Sequence, residues 1–179
     1  YVCPGFIDGH IHIESTMMIP SSLANAVLPH GTTTVITDPH EIANVCGTDG
    51  IKYMLEMSEN IPLSVYVMLP SCVPATPFDE SGAELFAKDL RELYSHDRVL
   101  GLAEMMNYPG VLFDDKATVE KIDECLATGK LVDGHAPFLS GKELDKYVAK
   151  GISSDHECST FEEAKEKLSK GQWIMIREG

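Results

Sequence analysis

No stretch of the 179-residue chain approaches the roughly 18 consecutive apolar residues of a membrane span. No charged region followed by an apolar one opens it, so a signal peptide is not expected either. Basic residues are scarce: 14 Lys+Arg stand against 28 Asp+Glu, a net charge of −14. Phosphate binding needs clustered Lys and Arg, so nucleic acid and anionic membrane are excluded as expected partners. The five cysteines (Cys3, Cys46, Cys72, Cys125 and Cys158) are odd in number, widely spaced and without a CxxC pair. Neither a disulfide framework nor a thiolate zinc site is indicated, and a reducing cytoplasm is the expected setting. Low-complexity segments are lacking, as is any GxGxxG or GxxxxGK[ST] turn, which weakens a Rossmann-like alternative.

What is there is an ordinary globular composition, 44% hydrophobic and 23% charged, with enough apolar mass for one core. Residues 1–179 are therefore read as a single domain. The chain starts without Met and runs at once into an apolar stretch, then stops just after another, which leads us to expect a piece of a longer polypeptide.

Short apolar or β-branched runs predict strands over residues 6–13, 32–37, 63–70, 99–105, 131–134, 152–155 and 173–176. Between them, helical spacing predicts helices over 83–94, 116–127, 141–149 and 160–168. The last has Thr160 as N-cap and Glu163 three residues on, the pattern of a capping box. Gly129, Gly151 and Gly171 stand where helix C-termini want a left-handed residue. Strand–helix alternation with continuously apolar strands argues for a parallel sheet covered by helices. About seven units at this spacing fit an α/β fold of the TIM-type (β/α)8 barrel kind, incomplete by its eighth strand.

Four histidines fall at the C-terminal ends of predicted strands: His10, His12, His135 and His156. In such a barrel that end is where side chains converge. His10 and His12 share a face because strand side chains repeat every second residue, so both can grip one metal ion. Glu104 brings a carboxylate to the same rim. Four imidazoles and one bridging carboxylate can hold two divalent ions and so activate water near neutral pH. A single HxH pair is weak evidence; the five residues together, each set on its own strand end, favour a metal site over hydrogen-bonded rim residues.

Pro4-Gly5-Phe6-Ile7-Asp8-Gly9-His10-Ile11-His12 resembles the opening of the amidohydrolase superfamily barrel. Within it the chain is similar to the adenine deaminases, through His12-Ile13-Glu14-Ser15-Thr16-Met17, Thr34–Ile42 with its Asp38-Pro39-His40-Glu41, Ser71-Cys72-Val73-Pro74, Gly101–Val111 with its Ala103-Glu104-Met105-Met106, Asp133-Gly134-His135 and Ile174–Gly179. The resemblance spans almost the whole chain. It implies hydrolytic deamination of a small purine, adenine plus water giving hypoxanthine plus ammonia. By its pattern His10 and His12 hold one metal, His135 and His156 the other, and Glu104 bridges them where many members use a carboxylated lysine. The family points to manganese or iron, and the imidazole–carboxylate set also admits zinc. The superfamily further uses an Asp at the end of the eighth strand as ligand and base, and a small flanking β-domain. Neither is found here, so the expectation is an active parent protein and an inactive isolated piece.

His40 follows the second strand, either as the group that moves protons in purine deamination or as a rim histidine bonded to a loop. Glu14 is a candidate to orient substrate or a ligating imidazole. Glu41 suits the start of a helix. His30 and His96 are expected to face solvent, Cys72 and Cys158 to be inert thiols, and the Met17-Met18 and Met105-Met106 pairs to fill core or line a purine pocket. The charged run Glu162, Glu163, Lys165, Glu166, Lys167 and Lys170 is expected to be a solvated helix face. Two open sheet edges are a pairing liability that a homo-oligomer covers. The other readings are an amidohydrolase acting on a different cyclic amine, amide or lactam, and a metal-binding barrel piece without catalysis.

Overall fold

A computed structural model of the protein describes residues 1–76 and 78–177; Glu178 and Gly179 of the last motif lie outside it. Five strands form one parallel sheet in sequence order: β1 (Phe6–Ile11), β2 (Thr32–Thr37), β3 (Ser64–Leu69), β4 (Val99–Met105) and β5 (Leu131–Gly134). β6 (Ser154–Asp155) and β7 (Trp173–Ile174) pair in parallel with each other, and a bridge from Val132 to Ile152 ties β5 to the segment entering β6. This curled, sequential, all-parallel order is an incomplete α/β barrel. Parallel neighbours require crossovers, and the helices supply them on the outer face.

The outward side chains of the strands are the most apolar. Val67 and Leu69 of β3, Val99 and Leu102 of β4 and Val132 of β5 are buried against Leu90, Ile122, Cys125, Leu144 and Tyr147 of the covering helices. A second cluster joins Val35 and Val65 to Leu23, Ala24 and Met54. Inside the curl, Ile36, Met68, Leu100, Asp133, Ser154 and Met175 border a cavity of about 220 Å3.

Helices α6 (Lys116–Ala127) and α7 (Gly141–Ala149) have the expected bounds, and α8 (Phe161–Ser169) is shifted by one residue from the expected ones. Gly129 and Gly151 adopt φ of 76° and 89° after α6 and α7, the left-handed turn that lets each chain leave its helix. The helix expected over 83–94 is short: only α4 (Ala87–Leu90) is α-helical, followed by a 3-10 turn over Arg91–Ser95. Leu85 is buried by a loop, its amide donating to the Val73 carbonyl at 3.0 Å, and Phe86 points outward. Glu41 stands in the first turn of α2 (His40–Cys46), the helix start expected there; sequence reading missed α1 (Pro20–Val27), α3 (Thr48–Met57) and α5 (Tyr108–Leu112).

The solvated face expected on α8 holds for the exposed Glu162 and Lys165 and is corrected at Glu163 and Lys167. Glu163 and Lys167 are buried beneath the strand ends while Phe161 and Leu168 are exposed. The capping box is half made: Thr160 accepts from the Glu163 amide at 3.2 Å, but the Glu163 carboxylate accepts from the amides of Phe138 and Ser159 instead of turning back to Thr160. His30 is exposed as expected; His96 is half-buried, its Nδ1 accepting from the Arg98 amide. Met17 is exposed and Met105 is fully buried, so the two methionine pairs play different parts.

Candidate metal centre

The C-terminal ends of the strands converge on one carboxylate. Glu104 is buried near the end of β4, 3% exposed, and its two oxygens face different imidazoles. Oε2 accepts from His135 Nδ1 at 2.7 Å and from His156 Nε2 at 2.9 Å, with His10 Nε2 at 3.9 Å. Oε1 lies 3.4 Å from His12 Nε2 and 3.5 Å from His40 Nδ1. His10, His12, Glu104, His135 and His156 are thus brought together, with His40 as a fifth imidazole in the group.

Each element explains its side chain. β1 delivers His10, and His12 follows one residue past its end; their Nε2 atoms stand 3.2 Å apart. The chain leaves β2 through Asp38, whose carbonyl accepts from His12 Nδ1 at 3.0 Å and whose Oδ2 accepts from His40 Nδ1 at 3.1 Å. Gly134 ends β5 where a Cβ would stand 2.3 Å from the Ser154 carbonyl oxygen, so only glycine allows β6 this close before His135. The His135 amide then donates to the Tyr147 hydroxyl at 3.0 Å, and that hydroxyl donates to the Met105 carbonyl at 2.9 Å.

Asp133 is the residue that sequence reading missed. It is buried on β5, with Oδ2 3.2 Å from His10 Nδ1 and 3.4 Å from His156 Nδ1, while Oδ1 accepts from the Gly134 amide and the Ser154 hydroxyl. One carboxylate thereby orients two imidazoles, whose rings stack 3.7 Å apart. A signal was present: an Asp inside an apolar strand, two residues before a His, is a charge that burial makes costly without a partner.

Electrostatics follow from this packing. Burial works against ionised Glu104 and Asp133, but the imidazole hydrogen bonds win and hold both carboxyls well below the usual range. Burial also works against a charged His40, yet its bond to Asp38 and the charges of Asp38 and Glu104 push it up to about 9. His156 rises to about 10 against burial because Asp133 and Glu104 both face it. Burial raises Asp38, opposed by His40, and raises Glu14. Glu14 Oε1 accepts from the Ile42 amide at 3.2 Å; its Oε2 is buried without a partner. Glu41 is exposed on α2 and bonded to the Ser15 hydroxyl.

The donors fit a divalent cation. With Nδ1 of His12 donating to the Asp38 carbonyl and Nδ1 of His10 carrying its proton toward the Asp133 carboxylate 3.2 Å away, the Nε2 atoms left facing each other at 3.2 Å are both acceptors. Two acceptors at that distance call for a proton or a metal ion between them. Asp38 Oδ1 is a further buried atom without a hydrogen-bond partner. Three sets of donor atoms close enough to share an ion occur among the described residues: His12, Asp38, His40 and Glu104; His10, Glu104 and His156; His135, His156 and Glu157. These sets cut across the pairing of His10 with His12 that the resemblance implies. Asp38 and Glu157 are additional donors.

A curled parallel sheet with imidazoles gathered on a buried carboxylate at its C-terminal rim is the arrangement of a metal-dependent hydrolase barrel. Residues 1–178 match the amidohydrolase family, and the chain belongs to it. It is 57% identical to adenine deaminase 2 of Carboxydothermus hydrogenoformans, 59% to the adenine deaminase of Clostridium acetobutylicum and 58% to that of Methanoculleus marisnigri, over 179 residues in each. These alignments take in 100% of this chain but 31%, 31% and 34% of the relatives, so the chain spans about a third of their length. The YdjI aldolase of Escherichia coli K12 superposes with a TM-score of 0.57 at 10% identity, covering 97% of this chain and 65% of that one, a likeness of fold alone. Family membership and the donor clusters support the use of divalent metal. No helix among the described residues is long and apolar enough to cross a membrane.

Proposed function

We propose that the protein carrying this chain deaminates adenine hydrolytically, giving hypoxanthine and ammonia. The observation that supports it most is the gathering of five imidazoles on the two oxygens of Glu104, in a chain 57–59% identical to proteins named adenine deaminase. His10, His12, Glu104, His135 and His156 are proposed to hold two divalent ions, manganese or iron before zinc, with Glu104 spanning the pair. Bound there, the ions supply a water of lowered pKa and polarise the C–N bond under attack.

The chain's own groups have distinct tasks. Glu104 presents one oxygen to each side of the cluster and stays ionised, because its hydrogen bonds favour the charged form. His40 carries a proton at neutral pH and is anchored through Nδ1 by Asp38, so we assign it the transfer of a proton to the departing ammonia. Glu14 offers a buried, unpartnered Oε2 beside α2, which suits a hydrogen bond to a purine ring N–H. Residues 1–179 are proposed to form a single, partial barrel domain working in the cytoplasm. The net charge of −14 speaks against nucleic acid, and a homo-oligomer is the proposed assembly.

The test is ammonia release by the full-length protein loaded with Mn²⁺ or Fe²⁺, against adenine and a panel of other cyclic amines, amides and lactams. Turnover of adenine above the panel supports the assignment. Turnover of another substrate alone moves it elsewhere in the family, and metal uptake without any turnover favours the non-catalytic reading.

A further inference from the structure

The inward face of α8 carries charge where apolar side chains are the rule. Lys167 is fully buried, and its Nζ lies 2.8 Å from Glu163 Oε1 and 3.1 Å from Asp155 Oδ2 while donating at 2.8 Å to the Ala136 carbonyl. Asp155, fully buried, accepts from the Ala136 amide through Oδ2 at 3.0 Å and from the Glu157 amide through Oδ1 at 2.7 Å. Glu163 accepts from the Phe138 amide at 2.8 Å and from the Ser159 amide at 3.0 Å.

The backbone so gripped is the backbone next to two of the proposed metal ligands. Ala136 follows His135, while Asp155 and Glu157 flank His156. Three charges therefore tie the two rim loops to each other and to α8. Taking ions out of water costs several kcal/mol each, and apolar side chains of the same volume often hold a helix to a sheet as well or better. Directed hydrogen bonds do what apolar packing does not: they fix where two neighbouring loops stand relative to one another. His135 and His156 sit with ring centroids 5.3 Å apart and share Glu104 Oε2.

We propose that Lys167, acting through Asp155 and Glu163, is a positioning residue that holds His135 and His156 in register for a shared metal ion. The proposal rests on reading the Glu104 cluster as a metal centre. Lys167 touches neither substrate nor ligand imidazole; its influence runs through Ala136 and Asp155.

The experiment titrates metal-stripped full-length protein with Co²⁺, reading stoichiometry, affinity and the cobalt d–d absorption, for wild type, Lys167→Met and Lys167→Arg. Folding of each is followed by thermal melting. Wild type is expected to take up two ions. Folded Lys167→Met is expected to keep one ion and bind the other about 10- to 100-fold more weakly, the scale seen when groups that orient ligands are removed. Its cobalt spectrum changes, and kcat for adenine falls more than KM rises. If Lys167→Met does not fold, Lys167→Arg decides: it keeps the charge and displaces the bond to Ala136, so weakening of one ion is expected with little change in melting. Wild-type affinities and spectrum in a folded variant overturn the proposal alone. A wild-type protein that takes up no divalent ion overturns the metal-centre reading, and this inference with it.

Discussion

Asp133 Oδ2 stands 3.2 Å from His10 Nδ1, joining the fifth strand of the sheet to the first across the interior of the curl. Because the same oxygen also faces His156 Nδ1, one carboxylate turns two Nε2 atoms toward Glu104. Asp133→Asn keeps the size of the side chain and removes the charge that favours this tautomer. We expect it to weaken divalent metal binding by about 10- to 100-fold with the fold intact. Isothermal titration of the metal-stripped protein checks this, and an unchanged affinity would sink the orienting role.

Metal uptake should release protons. His156, a proposed ligand that stands at about 10 in the metal-free protein, carries a proton at pH 7, and a ligating imidazole must be neutral; His40, at about 9, keeps its proton for the transfer assigned to it. Metal affinity is therefore expected to rise with pH up to about 10. The stability of the metal-free protein runs the other way. Both pKa values are raised, so their contribution is full below the unfolded value of about 6.5 and is lost as pH climbs through 9 and 10. Titration in buffers of different ionisation enthalpy counts the protons, and denaturant unfolding of the stripped protein follows the stability. Metal affinity independent of pH across this window contradicts the assignment.

Tyr147 is fully buried, and its hydroxyl links the ends of β4 and β5 by accepting from the His135 amide and donating to the Met105 carbonyl. Tyr147→Phe leaves two backbone groups unpaired in the core. The cost of each is about 1–3 kcal/mol, so a loss of roughly 2 kcal/mol or more in urea unfolding is expected. A variant as stable as wild type would mean that water reaches these groups.

The strands were legible because a parallel sheet covered on its outer face writes itself as apolar runs: 32–37, 99–105 and 131–134 have the bounds that the sequence suggests. The site's histidines were legible for the same reason, since they stand where those runs stop. The extent of α2 beyond its start at Glu41, and the whole of α3, were not, because Gly47 at φ 61° breaks the pattern between them and α2 buries only Ala43 fully. The charged groups were misread where burial inverts the usual rule. Glu163 and Lys167, four apart on a helix, look like any solvent-exposed pair, and only the tertiary position of the Ala136 and Phe138 backbone shows why they lie inside. Asp133 and Asp155 were passed over as strand residues although each lies within two positions of a rim histidine.

Glu104 is proposed to span a pair of divalent ions, one oxygen toward His12 and His40 and the other toward His10, His135 and His156. The most direct measurement is a crystal structure of the manganese-loaded full-length protein with anomalous difference density at the manganese edge. Two peaks are expected, one within ligand distance of each Glu104 oxygen, both lost in Glu104→Ala. A single peak, or two peaks with Glu104 touching neither, would contradict the proposal.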